Sequence, residues 1–363
     1  MKIGIDASRA FVSQRTGIEE YSYQVIKNLA NELNDHQVVL YVRKNQKVDF
    51  TLPDNWKIKV IRWLFLWTQA GLSLELLFHP VDALFVPSHV VPLIHPRNTV
   101  VVVHGLEFEI MPEAYSFWGR LYMRASIRNS CRAAKKIIAV SKNTKRDLIN
   151  LYKIPEDKIE VIYEGVSEKS QIQNIKFQIN SKLKIKNSKF LLFVGRLEKR
   201  KNVEGIIEAY KILRDKHNIP HSLVLAGKPG YGYEAVKYKV ESSKYKANIV
   251  LPGFISEEEK WQLLANADVF LFPTFYEGFG LPVLEAQALG VPVVTSNVSS
   301  LPEVGGEAAA YCDPSEPISI ADAVYSLIGD KDWRDGIIEK GNENVKRFSW
   351  KRCANSIAKL LNG

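Results

Sequence analysis

The feature that most restricts this chain is a rhythm of short apolar runs, each followed by a longer stretch with helical spacing. The runs Lys2–Ile5, Gln37–Val42, Ile58–Ile61, Ala83–Val86, Thr99–Val103, Ile137–Val140 and Lys158–Ile162 read as strands. Helical patterns lie between several of them, at Ile18–Leu33, Phe117–Ala134 and Asn143–Leu151. Several of the runs are apolar at nearly every position, as strands are when a sheet is covered on both faces. Strands separated by helices imply parallel order, because the helix carries the chain back across the sheet.

The rhythm stops at Ser170–Asn187, a polar segment rich in Lys, Asn and Gln, and then resumes. The second series has strands at Phe190–Val194, Ser222–Ala226, Asn248–Leu251, Val269–Phe272, Val291–Thr295 and Ala308–Tyr311. Its helices lie near Asn202–Leu213, Glu257–Ala265 and Leu281–Leu289. A chain of 363 residues has room for two to three domains. The expectation is an α/β protein of two Rossmann-like, doubly wound domains, residues 1–170 and 188–349, joined by a linker at 171–187. A helical pattern at 350–363 follows.

Composition excludes several classes. The chain is 46% hydrophobic and 25% charged, which is neither disordered nor polytopic membrane protein. Cys131, Cys312 and Cys353 are far apart and odd in number, which fits a reducing compartment better than disulfides or a zinc site. The first residues run straight into a strand, with no secretory leader, so a cytoplasmic protein is expected. The uncharged stretch Trp63–Leu74 is 12 residues long and too short to span a bilayer.

The net charge of +9 is uneven. Between Tyr115 and Arg146 there are nine cations and no acid, and Arg120, Arg124, Arg128 and Arg132 recur every fourth residue. On a helix these four form one stripe. A solvated face and an anion-facing surface are both open readings. Anionic lipid or phosphate is the expected partner of the second, since no nucleic-acid-binding pattern accompanies the charge.

In doubly wound sheets ligands bind beyond the carboxyl ends of the strands, so four loops matter. Gly17 opens the helix after the first strand, where free amides can meet an anion, although a plain turn glycine explains it as well. His104 stands just past a run of valines, at a mouth rather than in a core. Gly195 releases the strand Phe190–Val194, and Arg196 and Lys201 flank the next helix start; two cations and free amides there suit a diphosphate. The fourth loop carries two carboxylates, Glu277 and Glu285, eight residues apart around Gly278 and Gly280. Glu277 can accept bonds from sugar hydroxyls and Glu285 from a ribose diol. A favourable first-turn acid accounts for Glu285, but not for Glu277 or the glycines.

The segments Thr16-Gly17-Ile18, Val194-Gly195-Arg196-Leu197-Glu198 with Lys201-Asn202, Pro252-Gly253-Phe254, and Glu277-Gly-Phe-Gly-Leu-Pro-Val-Leu-Glu285 followed by Ala-x-Ala-x-Gly-x-Pro-Val-Val resemble those of family 4 retaining glycosyltransferases. The likeness covers nearly the whole chain, and its loop wording resembles bacterial mannosyltransferase-like members. It implies the GT-B fold, with the two domains facing a central cleft and the C-terminal helix crossing back onto the first. It implies that Arg196, Lys201 and the Gly17 amide hold the donor diphosphate. Gly253, Phe254 and Ile255 would line the base, and Phe279, Gly280, Leu281 and Glu285 would complete the donor site. Glu277 and His104 would face the transferred sugar as the catalytic pair. Many relatives have His-Asp where this chain has His104-Gly105, which leaves the acid's role open, with Glu107 one substitute.

The resemblance further implies front-face substitution with retained configuration, no cofactor and no metal. The donor would be a nucleotide diphosphate sugar, GDP-mannose first and a UDP-sugar second. The acceptor would be a saccharide or polyprenyl-diphosphate-linked saccharide, reached from the inner face of the cytoplasmic membrane through the arginine stripe, with no role for nucleic acid. A nucleotide-sugar epimerase and a non-catalytic saccharide- or membrane-binding scaffold are the rival readings. A nicotinamide-dependent reductase is disfavoured, because neither half carries G-x-G-x-x-G.

Overall fold

The computed structural model describes residues 1–166 and 189–362, so the expected linker 171–187 lies outside the described residues. Two compact units result: Met1–Gly165 with Phe348–Gly363, and Val166–Arg347.

The first unit holds seven strands: β1 Lys2–Asp6, β2 Gln37–Arg43, β3 Trp56–Ile61, β4 Ala83–Val86, β5 Asn98–Val103, β6 Lys136–Ala139 and β7 Ile159–Val161. All pairs are parallel, in the order β3-β2-β1-β4-β5-β6-β7. The apolar runs are the reason: β4 is buried at every position, and β5 at all but its first. The order reverses between β1 and β4, which opens a crevice beside the loops that follow them.

The second unit repeats the plan with β8 Phe190–Val194, β9 Ser222–Ala226, β10 Ile249–Gly253, β11 Val269–Phe272, β12 Val293–Ser296 and β13 Ala310–Cys312. Their order is β10-β9-β8-β11-β12-β13, again all parallel. Here the reversal falls between β8 and β11. Phe193, Phe270 and Phe272 stack in the core beneath that point.

The helix Trp350–Asn362 belongs to the first unit. Its buried residues Trp350, Cys353, Ala354, Ile357, Ala358 and Leu361 keep helical spacing and form one apolar stripe. That stripe packs against the helix Gly17–Glu32, with the rings of Trp350 and Tyr21 5.8 Å apart. Two polar ties fix the register: Asn355 Nδ2 donates to Glu32 (2.6 Å), and Asn98 Nδ2 donates to the Leu361 carbonyl (2.8 Å).

The three cysteines are unpaired and buried. Among the described residues no helix is long and apolar enough to cross a membrane. Trp63–Leu74 becomes an exposed turn at 63–66, a π-helical turn Trp67–Leu72 and the start of the helix Ser73–Phe78.

Candidate active site

In the second unit the reversal between β8 and β11 brings the loops after both strands together. The β8 loop ends in a single 3₁₀ turn, Lys199–Lys201, and Asn202 then takes a left-handed conformation (φ 56°) before the helix Val203–His217. Asn202 is buried and donates to the carbonyls of Pro273 and Pro314 (3.0 and 2.6 Å), which pins this loop to the one after β11. Arg200 binds the two loops more tightly. Its carbonyl accepts from the Phe275 amide (3.0 Å), while its guanidinium donates to the Tyr276 carbonyl (2.8 Å) and to Glu198 (2.9 Å).

These contacts deliver Lys201 to Glu277. The ammonium lies 2.5 Å from Glu277 Oε1, and an Arg200 nitrogen lies 3.2 Å from the same oxygen. Both side chains of the short pair are nearly buried. Burial by itself would raise the Glu277 carboxyl, but Lys201 and Arg200 outweigh it and hold the group below the ordinary carboxylate range. For Lys201, burial and then Arg200 push the ammonium down, and Glu277 offsets part of that. The carboxylate is therefore ionised and fixed.

The backbone around Glu277 is held from the loop after β12. The Glu277 amide donates to Ser299 Oγ (3.1 Å), and the Ser300 hydroxyl lies within reach of the Glu277 and Phe279 carbonyls (2.9 and 2.6 Å). Gly280 has φ 118°, a backbone conformation side chains rarely adopt, and a Cβ there would also stand 2.8 Å from a terminal methyl of Leu301. The helix Leu281–Ala288 starts at once, with proline in its first turn, where no amide proton is missed. Phe279 is buried, so its side chain is not available to a ligand. Glu285 faces Lys260 at 2.8 Å rather than open solvent.

Arg196 is different. Its side chain is 60% exposed, with Glu198 4.0 Å away as its only ion-pair contact among the described residues, so it is free to turn toward an anion. At the end of β10, Gly253 (φ 76°) carries the chain into an exposed Phe254, over whose ring the Lys228 ammonium lies 4.3 Å from the centroid. Ile255 is buried in the core and offers only backbone to a ligand.

In the first unit Gly17 begins its helix exposed, with nothing within 4 Å of where a Cβ would stand. Packing therefore does not demand the glycine, whereas close approach of a ligand to the backbone would. The Thr16 amide is already met by Glu19 (3.2 Å). His104 is turned inward: Nε2 is 2.8 Å from the Pro87 carbonyl, and Nδ1 is 3.5 Å from Glu164. The carboxylate beside His104 is thus Glu164, not Glu107.

The family model "Glycosyltransferase Family 4" matches residues 15–169, and "Glycosyl transferases group 1" matches 174–344. The O-antigen chain mannosyltransferase B of Escherichia coli is 32% identical over 261 residues, 71% of this chain and 68% of that protein. This chain belongs to the family 4 glycosyltransferases. The O-antigen chain mannosyltransferase RfbU of Salmonella typhimurium is 26% identical over 360 residues, 95% of this chain and 96% of that one. WaaG, a glycosyltransferase involved in lipopolysaccharide biosynthesis, superposes with a TM-score of 0.75 at 16% identity over the full length of both chains. The fold is accordingly GT-B.

For this glycosyltransferase the second unit gathers Lys201 and Glu277 at one point, as their loops require. Sequence reasoning passed over Arg200, hidden in a run of three cations, and over Ser299 and Ser300. A polar Asn-Val-Ser-Ser stretch directly after a buried strand was the available signal for the serines. The arginine stripe is partly spent within the protein. Arg124 pairs with Glu109 (Nε to Oε1, 2.6 Å), Arg120 lies 4.0 Å from the same carboxylate, and Arg128 covers the Tyr152 ring at 4.8 Å. Arg132 remains exposed.

Proposed function

We propose that this chain is a retaining hexosyltransferase that moves mannose from GDP-mannose to a lipid-linked saccharide during surface-polysaccharide assembly. The observation that carries the reading is the buried Lys201–Glu277 pair in the same loop system as the exposed Arg196. A nucleotide diphosphate leaves with growing negative charge on its phosphate oxygen, and fixed cations stabilise that charge best where water is scarce. Arg196 and Lys201 serve that purpose. Glu285 and the Gly253–Ile255 loop serve the ribose and the base. The names of the two O-antigen relatives support mannose as the sugar.

In the proposed reaction the bond from the anomeric carbon to phosphate oxygen breaks, and its electron pair stays on the phosphate. The acceptor hydroxyl attacks from the same face, and its proton passes to that phosphate oxygen. Glu277 orients the sugar hydroxyls and faces the developing positive charge without forming a bond to carbon. Because protein cations neutralise the leaving group, turnover is expected to survive chelation of divalent metals.

Support for a membrane-borne acceptor comes from the first turns of the helix Phe117–Ala133. Phe117, Trp118, Leu121 and Tyr122 are all exposed there, Trp118 by 75%, next to the basic residues of the same helix. Aromatic and basic side chains together suit the boundary between headgroups and acyl chains of an anionic bilayer.

The test is thermal stabilisation by GDP, UDP and ADP and their sugars, followed by product analysis with the sugar that stabilises. A ligand at 100 times its dissociation constant stabilises by about 2.7 kcal/mol. Stabilisation by GDP and release of GDP with an α-mannosyl product is the expected outcome. Stabilisation by UDP alone would replace the donor, and donor turnover without a glycosylated product would replace transfer by epimerisation or hydrolysis.

A further inference from the structure

Glu164 lies just after β7, two residues before the chain enters the second unit, and belongs to none of the four ligand loops. It is 4% exposed. A carboxyl that deep needs a partner, and among the described residues His104 Nδ1, at 3.5 Å, is its ion-pair partner. The geometry fixes the tautomer of the other edge. The Pro87 carbonyl can only accept, so Nε2 carries a proton. With Nε2 protonated, Nδ1 faces Glu164 across 3.5 Å, so any proton the pair shares sits either on the ring with the carboxylate ionised or on the carboxyl with the ring neutral.

The pair is held rigidly. A Cβ on Gly165 would stand 2.1 Å from the Trp350 amide nitrogen, so the backbone beside Glu164 is clamped against the start of the C-terminal helix. The Tyr21 ring packs edge-on to His104 at 4.6 Å from the helix that Gly17 opens. The other titratable groups facing the pair are few. His89, after β4, packs its ring 5.4 Å away; burial pushes it down to about 3, so it stays neutral at working pH. Cys353, on the C-terminal helix, acts on Tyr21 and Glu164, and Arg9 acts on His89. Burial raises the Glu164 carboxyl, and His104 pulls it part of the way back.

We infer that Glu164 is the positioning residue for His104: it holds the Nδ1 edge while the Pro87 carbonyl holds Nε2, fixing the imidazole's orientation and sharing the Nδ1 proton with it. The effect on turnover rests on the glycosyltransferase reading; the pairing itself does not. The carboxylate thus reaches the histidine from the far end of the unit, where Gly105 offers no side chain.

Glu164→Gln keeps the shape and removes the exchangeable proton. In the full chain this variant is expected to bind GDP as the wild type does and to lose at least tenfold in kcat. The limb of the kcat–pH profile that belongs to the pair should disappear. In a His104→Asn background the same substitution should cost nothing further, whereas a merely structural role would cost the same in both. Imidazole ¹⁵N shifts provide a readout independent of activity. The resonance lost in His104→Asn should change its titration in Glu164→Gln. If Glu164→Gln does not fold, the wild-type resonance decides alone, since a pair that shares a proton gives that nitrogen two coupled titration steps. An unchanged His104 titration, or a single uncoupled step in the wild type, overturns the inference. A wild type that transfers no sugar would remove the proposed function but leave this spectroscopic result standing.

Discussion

Lys201 and Glu277 stand 76 positions apart in the chain, yet their charged atoms lie 2.5 Å apart in a nearly closed site. Removing one partner leaves the other buried without compensation, which typically costs about 3–5 kcal/mol. Lys201→Met is therefore expected to lower the unfolding free energy of the second unit by that order, read from urea titration. Arg200, 3.2 Å from the same oxygen, keeps the loss near the lower end.

The same pair predicts an acid limb. The folded Glu277 carboxyl is held below its unfolded value, so its stabilising contribution is complete above the unfolded carboxylate range, about 4.3. It is lost as pH falls through the folded value. Stability of the wild type should fall more steeply on acidification than that of Glu277→Gln, which has no proton to gain. At neutral pH the Gln variant should lose roughly 100-fold or more in kcat/KM, about 2.7 kcal/mol of transition-state stabilisation. Parallel curves for the two proteins would remove the electrostatic account.

Arg196 and Arg200 make opposite predictions although only three residues separate them. Arg196 is exposed, and Arg196→Ala should change stability by no more than about 0.5 kcal/mol. It should weaken GDP binding by about 10- to 100-fold, as expected for a charged hydrogen bond worth about 1.5–3 kcal/mol. Arg200→Ala should act chiefly on stability and kcat, because it ties the loop after β8 to Tyr276 and Glu277 rather than meeting the nucleotide. Calorimetric titration with GDP and urea unfolding separate the two.

What the sequence disclosed follows from how each feature is written in it. Strands buried on both faces leave continuous apolar runs, so all thirteen fall where the runs predict, with ends differing by two residues or fewer. The fourth loop was legible because its glycines and proline have few other uses at that spacing. Pairings were not legible. The window Tyr115–Arg146 contains no acid, yet Glu109, outside it, reaches two of its arginines. Glu164 sits in no motif, and only the meeting of the β5 and β7 ends gives it meaning. Arg200 reads as one surface cation among three until the loop after β11 closes over it.

Gly280 offers a test of the loop itself. At φ 118°, and with Leu301 only 2.8 Å from where a Cβ would stand, Gly280→Ala combines backbone strain with a clash. Strain of this kind costs about 1–3 kcal/mol. The expected outcome is a lowered Tm together with a loss in kcat, since the turn also carries Glu277. Gly17→Ala makes the contrasting case. Nothing lies within 4 Å of the added methyl, so Tm should hold.

The exposed aromatic turn at Phe117–Tyr122 separates two ways of meeting a membrane. If charge alone attracts the protein, binding to anionic vesicles should vanish with salt, because each basic residue contributes only about 1 kcal/mol near the surface and is screened. If Phe117 and Trp118 enter the headgroup region, a salt-resistant fraction remains, and Trp fluorescence shifts to the blue on vesicle addition. The joint exposure of these side chains beside partly neutralised arginines favours the second outcome. Trp118→Ala should then lower partitioning in about 0.5 M salt by about tenfold, while Arg132→Ala should act only at low salt. Because neither residue is in the donor site, turnover of a short water-soluble acceptor should be unchanged in both variants. Loss of activity on that acceptor, or wild-type partitioning for Trp118→Ala, would sink the membrane reading.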